Sequence, residues 1–155
     1  MASIGPSGFA KSLRVAATVG AYRVVSFDTA TSGDENFVRI IQIPTETAHI
    51  LGISQDSADT TGAQFQACPV LSFGYGKVAA GASVSAGALL TFVTTTGYAI
   101  EATAVGNTGA PVTTTYSTAG SIRQKEIGVA LQKGSLTDAT MEVFISISNQ
   151  RLRIA

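Results

Sequence analysis

The chain has 155 residues, of which 45% are hydrophobic and only 13% charged; that suits one folded domain and excludes a disordered tail. Ten basic and ten acidic side chains cancel, so nothing in the charge balance marks a nucleic-acid binder, and the small basic clusters Lys11/Arg14 and Arg151/Arg153 hold too few charges for a polyanion. Cys68, the single cysteine, cannot form an internal disulfide, and no segment reads as a membrane span.

In chain order, residues 1–20 are expected to form an extended N-terminal arm, in preference to a helical turn over Phe9 to Leu13. Gly5-Pro6 and Ser7-Gly8 punctuate it, and its periodicity is poor. The apolar run Val15 to Gly20 is too short for a signal-peptide core, which implies synthesis in a cytoplasm. From Tyr22 the chain becomes a series of short β candidates, beginning with Arg23 to Phe27, Phe37 to Ile43 and Ile50 to Ser54. Ala63 to Phe73 follows, with Pro69 marking an edge or a bulge. Gly74, Gly76, Gly81, Gly87 and Gly97 are expected to cut the middle of the chain into short strands, among them Leu89 to Val93. Tyr98 to Thr103 leads into a Gly/Thr/Pro-rich stretch, Gly106 to Thr118, read as a long loop or flanking hairpin. Ile122 to Leu131 resumes the β pattern. Met141, Val143, Ile145 and Ile147 then alternate with Glu142, Phe144, Ser146 and Ser148, the cleanest period-two signal in the sequence. No window supports a long amphipathic helix, and no strict internal repeat is visible. The fold expected is all-β, a compact sandwich or small barrel spanning residues 21–148, with extended arms at 1–20 and 149–155.

The residues offer little for catalysis. His49 is the only histidine, so any Ser-His-Asp or Cys-His arrangement must use it, and beside a strand it reads as structural. One histidine and one cysteine cannot close a zinc site. The acidic residues fall mostly among turn residues, and Asp56 with Asp59 lacks the glycine and glutamate of a calcium loop. Gly74-Tyr75-Gly76-Lys77-Val78-Ala79 matches a dinucleotide fingerprint in letters only. The following Ala80 to Gly87 makes a poor helix, and no ribose-binding acid stands downstream. Cys68 reads as a small buried hydrophobe. No catalytic residue, cofactor or metal is expected.

The segment Val78-Ala79-Ala80-Gly81-Ala82-Ser83-Val84-Ser85-Ala86-Gly87-Ala88-Leu89-Leu90 has the rhythm V-x-x-G-x-x-V-x-x-G-x-x-L. It follows Leu51-Gly52-Ile53-Ser54-Gln55-Asp56 and precedes Gly97-Tyr98-Ala99-Ile100, Glu126 to Leu131 and the strand Met141 to Ser148. This order resembles the head decoration, or capsid cement, proteins of tailed bacteriophages, over roughly Tyr22 to Ser148. The Gly106 to Thr118 insertion and the Thr31 to Asn36 loop are longer than that pattern. The resemblance implies a β-rich homotrimer on the outer capsid surface of a virion, stabilising contacts between major capsid proteins. The same rhythm occurs in biotinyl and lipoyl hammerheads, but Lys77, Lys125 and Lys133 lack the hairpin-tip setting those need. The partners expected are the major capsid protein and copies of the chain itself, with neither nucleic acid nor membrane. Phe9, Lys11, Leu13 and Arg14 of the N-terminal arm, and Arg151, Leu152 and Arg153 of the tail, are the candidate partner contacts. The alternative is a glycan- or host-surface-binding module using Tyr75, Tyr98 and Tyr116.

Overall fold

Runs of β-branched and aromatic residues, each stopped by glycine or a polar turn, favour strands over helix throughout this chain. The computed structural model describes residues 7–28, 39–43, 45, 48–60, 66–102, 116–118, 121–123, 125–135 and 140–148. Among these every regular element is a strand: β1 (Ser7–Val15), β2 (Val24–Phe27), β3 (Arg39–Gln42), β4 (Ile50–Ser54), β5 (Ala67–Val78), β6 (Leu89–Phe92), β7 (Ala99–Glu101), β8 (Tyr116–Thr118), β9 (Ser121–Arg123), β10 (Glu126–Ala130) and β11 (Met141–Ser148). The all-β barrel class expected from the sequence is what the chain adopts.

Strands β1, β3, β2, β4 and β5 pair in that order, and β1 also pairs with β5, closing a five-strand barrel. Only the β1–β3 contact within it is parallel. Residues 7–15 of the segment expected as an arm are thus hydrogen-bonded into the barrel wall as β1. β5 does not stop at the barrel. Leu71 pairs with Ala10 on one side and Ile53 on the other, while Phe73 pairs with Phe9 and Ser146. β4 and β11 therefore lie end to end along one edge of β5. Beyond β11 the sheet continues through β10, β6 and β7. A parallel bridge from Ala99 to Ala80, just past the end of β5, then completes a second ring. β8 and β9 pair with each other in a separate two-stranded ladder.

Two cores follow from the two rings. Val15, Val19, Val25, Ile40, Cys68 and Val70 fill the first barrel. The larger core contains Val78, Val84, Leu90, Ile127, Met141 and Val143, which line the second ring, and it extends to Val24, Ile53 and Leu71. Those last three stand beside inward residues of the first barrel, so β2, β4 and the first half of β5 are buried on both faces. Their near-continuous apolar runs (Val24-Val25, Ile50-Leu51, Val70-Leu71) are what a wall between two cores requires.

The two rings are copies of one plan, a structural repeat without a strict sequence period. Residues 16–27 correspond to 81–92: each segment has a bend, an isolated bridge (Val19 to Ala58, Val84 to Gly134), a turn and a strand. The turn residues Tyr22 and Gly87 both take left-handed φ, 59° and 83°. The hydrogen bonds repeat as well. Tyr22 N donates to Ser54 O as Gly87 N does to Ala130 O, both at 2.8 Å, and Ala16 N donates to Ile40 O as Gly81 N does to Ala99 O, again at 2.8 Å. β3 matches β7, β4 matches β10, and the first half of β5 matches β11. The sequence trace is faint, V-x-A-x-x-[VL]-[VL]-[ST]-F at Val19 to Phe27 and Val84 to Phe92. The connections between matched strands differ in length, which removes any fixed period.

Two local expectations are corrected. β5 runs unbroken through Gly74 and Gly76 instead of ending at Phe73, because pairing holds the strand where local propensity is weak. Gly74, at φ +111°, is paired with Gly8 and Ile145 on its two edges, and Gly76 with Val143. Pro69 lies in this interior strand, not on an edge. Its carbonyl accepts from Gln55 N at 2.8 Å, one residue beyond β4, so its missing N–H falls where the β4 ladder has already run out.

Matched glycines provide a test. A Cβ on Gly52 would lie 2.6 Å from Leu71 O, and one on Gly128 only 2.0 Å from the corresponding Phe144 O, with Gly128 also at φ +148°. Gly128→Ala is expected to destabilise the protein by about 2 kcal/mol or more. Gly87→Ala, at φ +83° with no atom near the added Cβ, costs about 1 kcal/mol. Urea unfolding of the two variants checks the order, and equal midpoints would contradict it.

Candidate interaction surface

Alternation along a strand sends successive side chains to opposite faces. The extra residue at Ser72 shifts that alternation, so Phe73 and Tyr75 share a face with Cys68 and Val70, and the face that β5 turns into the first barrel becomes the outside of the second. Cys68 and Val70 point into the first barrel, whereas Phe73 and Tyr75 are 49% and 50% exposed. Tyr75 stands opposite Phe144, Phe144 opposite Val129, and Val129 opposite Leu89. Directly opposed residues share a face, which makes Tyr75–Phe144–Val129–Leu89 one row across β5, β11, β10 and β6. Leu89 is 48% exposed, and Val129 and Phe144 are half-buried. The Phe144 ring meets Tyr75 and Phe73 edge-on, with centroids 5.2 Å and 5.5 Å apart, a geometry that holds the rings in place. Phe9, the most exposed of these aromatic residues at 79%, lies opposite Phe73 and extends the patch onto β1. Lys77 opposite Glu142 borders the row on one side. Contiguous apolar surface of this kind marks an interaction site on a folded domain.

The expected contact residues divide. Phe9 and Lys11 are exposed on β1, and Arg14 is exposed at its end. Leu13 packs into the first barrel against its core. Arg151, Leu152 and Arg153 lie outside the described residues. Of the tyrosines named for glycan binding, Tyr75 is exposed, while Tyr98 lies under the Arg23 guanidinium, 3.6 Å from its ring centroid. That cation–π contact ties the turn after β6 to the first barrel. Tyr116 belongs to β8. Tyr75 was visible in the sequence as an aromatic residue, but Phe144, Val129 and Leu89 were not readable as its neighbours, since only cross-strand register brings them together.

Groups with chemical potential are dispersed. His49 is exposed. Among the described residues no three of His, Cys, Asp and Glu gather closely enough for a metal ion. The Gly74-Tyr75-Gly76 motif lies inside β5, with no helix after it. Lys125 Nζ donates to the Ala48 carbonyl. The Cys68 thiol is buried and donates to Asp56 O at 3.2 Å; burial pushes its pKa up, the reverse of what a nucleophile needs. Glu101, in contrast, has its pKa lowered by the hydrogen bond from Ser85 N. What the site offers is apolar and aromatic surface on a rigid sheet.

No protein-family model and no curated protein matches the sequence. Among solved structures the chain is similar to the head fiber gp8.5 N base of bacteriophage phi29. The TM-score is 0.54 at 16% identity, covering 94% of this chain and 98% of that one. At that identity the likeness establishes the fold, and it does so over nearly the whole of both chains.

Because Cys68 is fully buried with a raised pKa, the native protein is expected to show no thiol titre with Ellman's reagent at pH 8. One thiol per chain appears on unfolding in urea. Rapid labelling of the native protein would show that the first barrel opens readily.

Proposed function

We propose that this chain is a structural protein of a bacteriophage head: a decoration or cement protein that sits on the outer capsid surface as a homotrimer and stabilises contacts between major capsid proteins. The observation that carries the reading is the fold, shared over 94% of the chain with a phage head fiber base. The order of turn motifs noted in the sequence points the same way. A surface low in charge and rich in small residues supports extended protein contact, because few ions must be desolvated on binding. Phe9 and Lys11, exposed on β1, are candidate capsid contacts. The reading assigns no reaction and no cofactor.

Adjacent exposed rings, Phe73 and Tyr75, favour one second reading, a glycan- or host-surface-binding module. Retention on a glycan array together with no affinity for capsids would decide for it.

The test of the main reading adds purified protein to expanded capsids that lack it and follows their melting temperature. An upward shift that grows with protein concentration is expected, since a ligand of the intact shell alone stabilises it by RT ln(1 + [L]/Kd). An unchanged melting temperature at saturating protein would count against a cement role. Sedimentation of the free protein checks the trimer, and a stable monomer at micromolar concentration would remove it.

A further inference from the structure

The internal repeat gives the exposed row a counterpart. In the first ring the corresponding residues are Val24, Ile53 and Leu71, joined across β2, β4 and β5 by the same register that joins Leu89, Val129 and Phe144. Val24, Ile53 and Leu71 are fully buried because the second ring covers them. They belong to one continuous core with Phe92 and Ile145 of that ring. The turn following Phe92 is bonded beside them: Gly97 O accepts from Val24 N and Ile43 O accepts from Thr95 N, both at 2.8 Å. Phe92 ends β6 just before this turn and is 2% exposed.

Each ring thus has a row and a phenylalanine corner, and the molecule makes one row-to-corner contact, the first ring's row under the second ring's corner. One of each remains. The second ring's row is exposed, and so is the first ring's corner: Phe27, which ends β2 where Phe92 ends β6, is 40% exposed. The hydrogen bond just past each phenylalanine is the same in both rings, for Asp28 N donates to Arg39 O at 2.9 Å as Val93 N does to Tyr98 O at 2.8 Å.

We propose that the row Tyr75–Phe144–Val129–Leu89 is the docking face for a second copy of this chain, which inserts its Phe27 corner there as Phe92 is inserted within one chain. The contact is head to tail: the surface given differs from the surface received, so copies add in one direction until a ring closes. Burial of Leu89, Tyr75 and Phe27 removes apolar surface that a solitary molecule leaves in water. The inference rests on the self-association part of the proposed function and is independent of what the assembly attaches to.

The experiment uses Phe27→Glu and Leu89→Glu in the full chain. Both positions are partly exposed, so each variant is expected to keep the wild-type thermal melt of the unassociated chain. Wild type is expected to sediment as an oligomer, and each variant as a species at least about tenfold weaker in association, as loss of a buried anchor predicts. Mixing the two variants decides the geometry. F27E keeps an intact row and L89E an intact corner, so the mixture forms a heterodimer that grows no further. In the Cys68→Ser background, Phe27→Cys with Leu89→Cys should cross-link between copies on oxidation, which keeps the test open if a glutamate variant misfolds. A monomeric wild type overturns the proposal, as does an oligomer unaffected by both variants or a mixture that stays monomeric. If L89E loses capsid binding while wild type is a monomer, the row belongs to the capsid instead of a copy, which also overturns it. Capsid binding measured on the same proteins separates the readings: self-association by these faces without capsid affinity retains this interface and refutes the cement role.

Discussion

The fold depends on one strand lying between two cores. β5 supplies Cys68 and Val70 to the first barrel and Leu71 and Val78 to the second core, and it pairs with β1, β4 and β11. An extra residue at Ser72, where Phe9 and Ala10 of β1 face Phe73 and Leu71, shifts the alternation along β5. Without that shift Leu71 and Phe73 would share a face, and one of them would be on the wrong side. The same wall explains the glycine at position 76, where a Cβ would lie only 2.5 Å from Leu71 Cδ2. Two rings sharing a wall expose less apolar surface than two separate small barrels, a saving that matters in a chain of this length.

Duplication of one strand plan accounts for details that look arbitrary one at a time. Tyr22 adopts a left-handed φ because its position matches Gly87, where the turn into the next strand requires one; a non-glycine residue there carries a cost of about 1 kcal/mol. Ser54 and Ala130 are equivalent, yet only Ser54 is polar. Its hydroxyl donates to Gly20 O at 2.7 Å and accepts from Arg23 N at 2.9 Å, so the first ring adds to its turn a side-chain hydroxyl that Ala130 cannot supply in the second. Arg23 differs from its counterpart Ala88 for a similar reason. It lies over Tyr98 at the junction between the rings, a place that exists once in the chain.

Chemically the interior is quiet. The buried polar side chains are Ser26, Ser54 and Thr91 among the described residues, and Thr91 Oγ1 donates to Lys125 O at 2.9 Å. These hydroxyls satisfy backbone atoms at the points where ladders end. The surface carries the informative residues instead: rings and aliphatic side chains held in register by a sheet, flanked by the opposed charges of Lys77 and Glu142. Such a surface selects partners by shape and apolar area, with little long-range electrostatic steering.

From the sequence alone, element type was legible nearly everywhere. Val24 to Phe27, Ile50 to Ser54 and Met141 to Ser148 were readable as strands because β-branched side chains and period two act locally, within a few residues. The poverty of reactive groups was readable too, since one histidine and one cysteine limit what any fold can assemble. Other features were decided only in three dimensions. Strand β5 continues past Gly74 because neighbours on both edges hold it, the repeat emerges from register and hydrogen bonds after its sequence has diverged, and Leu89 is exposed while the equivalent Val24 is buried. Alternation tells which side chains share a face of their own strand, but not which core, or which water, that face will meet. That choice belongs to pairings between residues far apart in the chain, and local physics does not encode them.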